Sequence, residues 1–248
     1  MTTFFLYDII ILSLLFWSDI LNGKIVDFDY DNLKADIFKR FKEICGIFDN
    51  ADIDIERKKE AIDIFEKAFY CYELKGIYSF AEKKFFENEN RFYADIVKKN
   101  LNVNITGIAF FGVGAFFENI DYSSQKSMLE DFYIDVTGTA IIDVVRGIFK
   151  QKLEKEILEN NKYNGKYISD AFGVGFFGIE HNRIFEIFDM ANCCKIGLKI
   201  NDSGVIEPDK SFVGFFAISN ERFSKINDCK DCIGSRYGCF LCEKNRLK

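Results

Sequence analysis

AFGVGFFGIEHNRIFEIFDMANCCKIGLKINDSGVIEPDKSFVGFF, residues 171–216, is the stretch that decides the fold. It opens with glycine turns around Gly173 and Gly175, continues as an amphipathic helix over Asn182–Ala191, and reaches a glycine-serine turn at Asn201–Gly204. Glycine adopts turn conformations that other residues avoid. The stretch therefore predicts a pocket built largely from main-chain groups, which suits a polar small molecule.

Strands flank this helix on its carboxyl side. Alternating and apolar runs predict strands at Lys195–Ile200, Val205–Glu207 and Phe212–Ile218. Helices and strands mix without strict alternation, which favours an α+β fold over a doubly wound parallel sheet.

Upstream residues carry mainly helical patterns. Apolar residues recur at helical spacing from Tyr30 to Leu74 and again from Phe80 to Val97. An apolar run from Val103 to Phe111 predicts a buried strand, broken by Gly112 and Gly114.

A long helix is predicted from Ser127 to Leu158. Gly138 to Ala140 form a patch of small residues in its middle. A mid-helix glycine costs about 1 kcal/mol relative to alanine, so we expect a packed neighbour, rather than a ligand, to use that space. The apolar positions expected on one face are Leu129, Phe132, Val136, Ala140, Val144 and Ile148.

Composition excludes several classes of function. The 248 residues carry a net charge of −6, whereas nucleic-acid binding requires a basic face, so we expect no nucleic-acid partner. The single histidine, His181, leaves no basis for the usual Ser-His-Asp and Cys-His schemes or for histidine-rich zinc sites. We expect His181 to be solvated at a helix start.

The apolar run Phe4–Trp17 has no basic segment before it and is shorter than the roughly 20 residues of a spanning helix. We expect a helix that is buried or covered by a partner. A membrane-associated anchor and a start codon placed too far upstream are the alternatives. Eight cysteines without a secretory signal indicate a reducing compartment, so we expect a cytoplasmic protein with thiols or metal ligands rather than disulfides.

Gly173, Gly175 and Gly178 match the G-x-G-x-x-G spacing of dinucleotide-binding turns. That fingerprint requires a buried strand before it, but Asn164–Asp170 is mostly polar. A tight turn with no ligand is a second interpretation.

A third interpretation is a resemblance to the activation domain family of vitamin B12-dependent methionine synthase. The similar motifs are the turn Gly175-Phe176, the strand Lys195–Ser203, the proline Pro208 and the sequence Ser211–Gly214. The segment ITGIAFFGVGAFFENI, residues 105–120, and the later helix motif DVTGTA are also similar.

The resemblance spans roughly residues 60–220 and implies a single α+β domain with a central, mostly antiparallel sheet and flanking helices. It implies binding of S-adenosylmethionine and reductive methylation of cobalamin carried by a corrinoid-dependent methyltransferase, such as methionine synthase in methionine biosynthesis. The chain would be a stand-alone accessory module, with a flavodoxin- or ferredoxin-like protein as electron donor. The implied ligand contacts are Asp143, Gly173, Gly175, Phe176, Phe216 and Ala217.

Two positions depart from the family motifs. Ala171 stands where the family has an arginine that holds the ligand carboxylate, and Lys166 is the candidate substitute cation. Lysine cannot reproduce the two-pronged contact of arginine with a carboxylate. Asp143 replaces the family's glutamate and is one methylene shorter.

Two C-x-x-C pairs near the carboxyl end predict a metal site, because each pair can chelate one ion. Four thiolates suit structural zinc or an iron–sulfur cluster, and free thiols or a redox disulfide are the remaining alternatives. We expect Cys45, Cys71, Cys193 and Cys194 to be core thiols. The predicted metal ligands are Cys229, Cys232, Cys239 and Cys242.

These patterns predict an apolar extension over residues 1–29, an activation-domain-like domain over 30–220 and a metal-binding tail over 221–248. Two alternatives to the activation module dispense with S-adenosylmethionine. One is a metal-stapled adaptor that docks on a corrinoid protein, and the other is an iron–sulfur electron carrier to that protein.

Overall fold

A computed structural model gives the fold of the chain. Among the residues it describes, no helix combines the length and the apolar composition needed to cross a bilayer. The predicted apolar run Phe4–Trp17 lies outside these residues. The described ranges are 23–47, 55–87, 90–118, 127–159, 165–175 and 177–224.

A five-stranded antiparallel sheet forms the centre of the molecule, in the order β1-β2-β3-β7-β4. Strands β5 and β6 pair separately as a short hairpin. The strands are β1 Lys24–Val26, β2 Tyr72–Glu82, β3 Gly107–Phe117, β4 Tyr167–Ile168, β5 Lys199–Ile200, β6 Ile206–Glu207 and β7 Ser211–Ser219.

Helices cover both faces of the sheet and bury one apolar cluster on each face. Helices α1, α2 and α5 cover one face, while α4, α6 and a 3-10 helix at Cys193–Ile196 cover the other. The helices are α1 Tyr30–Cys45, α2 Ile55–Phe69, α3 Lys83–Glu87, α4 Arg91–Leu101, α5 Met128–Glu159 and α6 Arg183–Met190.

This architecture confirms the predicted α+β class with a central antiparallel sheet and flanking helices. The observed bounds of α5, α6 and β7 differ from the predicted ones by a residue or two. Each of these elements has a strong local pattern, helical or strand-like, that does not depend on its neighbours.

The predicted break in β3 is wrong, because the strand runs unbroken through Gly112 and Gly114. A side-chain carbon added at Gly114 would lie 2.6 Å from Leu198, and one added at Gly112 would overlap the sulfur of Cys193. The two glycines therefore let the 3-10 helix and the residues after it pack directly against the sheet.

Three other predicted bounds are wrong. The helical pattern predicted from Tyr30 to Leu74 ends at Phe69, because Tyr72–Glu82 form β2. The helical pattern predicted from Phe80 begins later than expected, because Phe80–Glu82 belong to the same strand. Only Lys199–Ile200 of the strand predicted at Lys195–Ile200 is extended. Short apolar runs do not distinguish strand from helix, so tertiary pairing decides such segments.

The predicted apolar face of α5 is confirmed at Val136 and Ala140, which are buried, but not along the whole helix. Leu129 and Phe132 are exposed, whereas buried residues follow every fourth position from Ile141 to Ile157. A four-residue step advances around the helix by about 40° per repeat. The buried face therefore rotates along this 32-residue helix as it passes from α1 and α2 to the sheet.

A clamp at Gly138 holds the amino-terminal half of α5 against the loop before β7. The Tyr72 hydroxyl donates a hydrogen bond to the Ile134 carbonyl at 3.0 Å, and Lys210 Nζ lies 2.6 Å from Asp135 Oδ1. Both side chains cross Gly138, where an added Cβ would lie 2.6 Å from Tyr72 Oη. This confirms that a packed neighbour uses the space at Gly138.

We expect Gly138→Ala to lower the free energy of unfolding by about 1–2 kcal/mol, because overpacking outweighs the gain in helix propensity. Urea denaturation followed by circular dichroism measures the change. Gly147→Ala is the matched control, since Gly147 is an exposed residue of the same helix with nothing within 4 Å of its added Cβ. That variant should gain about 0.5–1 kcal/mol. Equal gains in both variants would contradict the clamp.

Candidate functional site

The structure places five of the predicted ligand residues on three neighbouring elements. Asp143 lies on α5, Gly173 and Gly175 lie in the segment after β4, and Phe216 and Ala217 lie in β7.

The segment Ser169–Gly175, called the edge segment below, runs along the outer edge of β7. Phe172 and Phe215 exchange two main-chain hydrogen bonds, at 2.8 and 2.9 Å. Ser169 N–H donates to the Ala217 carbonyl, and Ala217 N–H donates to Ser169 Oγ, both at 2.9 Å. The main chain of Ala217 is therefore occupied within the fold.

Val213 marks where the edge segment leaves β7. Its N–H and C=O face the same edge as those of Phe215, because alternate strand residues bond to the same side. Among the described residues, no main-chain group bonds Val213 from that edge. Gly175 turns the chain away there, with a φ of 78° and its N–H donating to the Ile179 carbonyl at 3.0 Å. Within the described ranges, the main-chain donor and acceptor of Val213 therefore lie beside the glycine turn without a main-chain partner.

Helix α5 packs on the neighbouring strand β3 and runs in the same direction as β7. Asp135 pairs with Lys210 at one end, and the rings of Phe149 and Phe216 lie 6.5 Å apart at the other. The helix rises about 21 Å between these residues at ~1.5 Å per residue. The strand covers about 20 Å at ~3.3 Å per residue. The equal lengths place residues of the two elements level with one another.

Asp143 lies just past the middle of this helical interval and is level with Val213. Its carboxylate is already bound by Arg40 of α1, with Nη2 at 2.7 Å and Nε at 2.8 Å from Oδ2. The two side chains are 38% and 25% exposed. Ion pairs this exposed contribute roughly 0–1 kcal/mol, so a charged ligand can compete for the carboxylate.

A second ion pair draws the edge segment towards the same face of α5. Lys150 Nζ lies 2.7 Å from Asp170 Oδ1, immediately before Ala171. Lys150, Arg146 and Asp143 share one helix face, because residues three and four apart are neighbours. This outward face of α5, the edge segment and Val213 together form what we call the candidate site.

Arg146 is an exposed member of this face that sequence analysis did not single out. Its spacing of three residues from Asp143 and four from Lys150 was the available signal. This spacing alone did not indicate a ligand contact. Only the pairing of Lys150 with Asp170 shows that this helix face lies next to the edge segment.

Phe216 forms the floor beneath the candidate site rather than an exposed contact. Its ring is 1% exposed and stacks on Phe111, with ring centres 4.6 Å apart and an interplanar angle of 27°. The ring therefore belongs to the core between the sheet and α5 in this conformation.

The predicted substitute cation, Lys166, does not lie beside Asp143. It lines a cavity of about 340 Å³ with Tyr167, Arg222 and the α5 residues Glu154 and Ile157. Glu154 is about 16 Å farther along the helix than Asp143, at ~1.5 Å per residue, which exceeds the reach of a lysine side chain. The structure does not bring the two predicted groups together.

The dinucleotide-binding interpretation is wrong, since the glycine segment lies on an antiparallel sheet and no parallel βαβ unit surrounds it. Positive φ values at Gly175 and Gly178 agree with the tight-turn interpretation. His181 is exposed ahead of α6, as predicted.

The cysteines of the described part of the chain do not form a metal site. No group of three or more His, Cys, Asp or Glu side chains in the described ranges could hold a metal ion. Cys193 is a core thiol whose pKa is raised by burial, but Cys194 is exposed, contrary to expectation. The predicted residues outside the described ranges are Phe176, Cys229, Cys232, Cys239 and Cys242.

No protein-family model matches the chain, and no curated protein matches its sequence. A crystal structure of the MetH reactivation domain bound to AdoHcy has a similar fold, with a TM-score of 0.56. The match covers 83% of this chain and 81% of that chain, at 11% sequence identity. An identity this low shows similarity of fold alone, and at that level the resemblance seen in the sequence motifs is confirmed.

Proposed function

We propose that this chain binds S-adenosylmethionine at the candidate site and acts as an activation module for a corrinoid-dependent methyltransferase such as methionine synthase. The observation that supports it most is the match in fold to a reactivation domain bound to AdoHcy. The candidate site adds a carboxylate on α5, a glycine turn and the outer edge of β7, with the Lys150–Asp170 ion pair joining that face of α5 to the edge segment.

The ligand is a sulfonium cation that carries an amino-acid group and an adenosine. Asp143 would accept a charge-assisted hydrogen bond from the ammonium, which is about twice as strong as a neutral one, and its charge would attract the sulfonium. The main chain at Gly173, Gly175 and Val213 would hold the polar edges of the ligand. The remaining proposed contacts are Phe176 and the main chain at Phe216 and Ala217. Because Ala217 N–H is bonded to Ser169, it can bind the ligand only after that hydrogen bond opens.

The role of the protein in this proposal is to orient the methyl donor. Cobalamin carried by the partner supplies the methyl-accepting chemistry, and a flavodoxin- or ferredoxin-like protein supplies one electron. The sulfonium loses its methyl group as a cation and leaves as S-adenosylhomocysteine. Because the product keeps the amino-acid group and the adenosine, it should bind the same site and is a stable probe for it.

We expect isothermal titration calorimetry to detect binding of S-adenosylmethionine and S-adenosylhomocysteine to the full chain. Gly175→Trp should abolish this binding, because a large side chain at the turn blocks the open edge of β7. A native protein that produces no heat with either ligand at millimolar concentration contradicts the proposed function.

Gly165→Trp is the matched control for that variant. Gly165 has a φ of 77°, close to the 78° of Gly175, and nothing lies within 4 Å of its added Cβ. Both variants therefore carry the same backbone strain, about 1–2 kcal/mol for a non-glycine residue in this region. Only Gly175→Trp should lose the ligand, and loss in both variants would mean that strain alone is responsible.

An adaptor that docks on a corrinoid protein without S-adenosylmethionine is the second candidate. Two observations favour it: Arg40 occupies the Asp143 carboxylate, and the ring of Phe216 is covered. Binding of the chain to a corrinoid protein, together with silent calorimetry for both ligands, would support the adaptor over the activation module.

The four carboxyl-terminal cysteines are proposed to hold one zinc ion, because two C-x-x-C pairs supply the four thiolates of a tetrahedral site. Elemental analysis of anaerobically purified protein should give one zinc per chain and neither iron nor sulfide. Cys232→Ser should lose the metal, whereas Cys194→Ser, which changes an exposed thiol of the described domain, should keep it. Iron and sulfide in place of zinc would favour the electron carrier.

A further inference from the structure

We infer that Arg146 holds the carboxylate of the ligand's amino-acid group. The inference rests on the proposed S-adenosylmethionine site and adds to it the cation that Ala171 and Lys166 do not provide. Arg146 is then a specificity-determining residue, which selects ligands that carry an amino-acid group over bare nucleosides.

Arg146 lies at the height of the edge segment. Residues of α5 between Asp135 and Phe149 are level with β7 between Lys210 and Phe216, as the contacts at both ends require. Arg146 lies in the upper part of that interval, level with Phe215. The edge segment pairs with β7 at this height, through Phe172 and Phe215.

Arg146 also carries a charge that the neighbouring ion pairs leave available. On the outward face of α5, Asp143 is bound by Arg40, and Lys150 is bound by Asp170. Arg146 lies between these two ion pairs and is exposed, and within the described part of the chain it has no ion-pair partner of its own. The candidate site therefore offers one guanidinium that an incoming carboxylate can bind without displacing a protein group.

The amino-acid group of the ligand requires two opposite charges. An amino-acid group carries its ammonium and carboxylate on the same carbon, so its binding site needs an anion and a cation close together. Asp143 and Arg146 are three residues apart, which puts their Cβ atoms about 5–6 Å apart on one helix face. A guanidinium binds a carboxylate through two parallel N–H donors and fixes its orientation.

The other cations near the candidate site are less suited to this role. Lys150 is paired with Asp170, so a ligand that took Lys150 would break the ion pair between α5 and the edge segment. Arg40 donates to both Asp143 and Glu43, and a ligand carboxylate would have to compete with these two anions.

The test compares three probes by calorimetry on the native chain and on Arg146→Gln. S-Adenosylmethionine and S-adenosylhomocysteine carry the amino-acid group, whereas methylthioadenosine lacks it. Losing a charge-assisted contact should weaken binding of the first two by about 10- to 100-fold. The affinity for methylthioadenosine should not change, because that probe has no carboxylate for Arg146 to hold.

Arg91→Gln is the matched control, since Arg91 is an exposed arginine of α4 that pairs with Asp95 on its own helix. It should leave all three affinities unchanged. Arg146→Lys should restore part of the lost affinity, because lysine keeps the charge but loses the second donor.

The outcomes separate this inference from the proposed function. If the native chain binds none of the three probes, the proposed function fails and the inference fails with it. If the native chain binds S-adenosylmethionine and Arg146→Gln binds it equally well, only the role of Arg146 is overturned. An equal loss for all three probes also overturns it, because such a loss reports damage to the site as a whole.

Discussion

The main-chain pairing of β7 on both of its edges is the constraint on which the rest of the structure depends. One edge completes the ladder with β3, and the other holds β4 and the edge segment through Ser169 and Phe172. Helix α5 packs on the adjacent strand β3 and reaches the β7 side through Lys210 and Phe216. Because all three elements of the candidate site meet on β7, the register of this strand sets their relative positions, and a slip of one residue would reverse the faces of its side chains.

The candidate site has charges at its rim and an aromatic core beneath it. The Arg40–Asp143 and Lys150–Asp170 pairs are partly exposed, so each contributes little to stability and can exchange partners. The stacked rings of Phe111 and Phe216 below them are buried and keep α5 at a fixed distance from the sheet. A rigid floor with exchangeable charges suits the binding of a small zwitterion, and also suits docking of a charged partner surface.

Some elements of the fold could be predicted from local sequence patterns, whereas others depend on tertiary contacts. The long helix α5, the helix α6 and the strand β7 follow from their own periodicity, and all three were predicted close to their observed bounds. The unbroken course of β3 could not be predicted, because Gly112 and Gly114 are tolerated only where Cys193 and Leu198 pack against them. The rotating buried face of α5 likewise depends on which helices and strands it meets along its length.

The sequence by itself determined the fold class, the glycine turn and the motifs shared with an activation domain. These features depend on hydrophobic periodicity and on the backbone freedom of glycine, which are properties of residues close together in the chain. Only the tertiary structure decided which charges meet. It paired Asp143 with Arg40, more than one hundred residues away in the chain, placed Lys166 in a cavity away from Asp143, and paired Lys150, on the helix face of Arg146, with Asp170 of the edge segment. Such contacts depend on how α1, α5 and β7 pack together, and residue spacing along the chain carries no information about distances between separate elements.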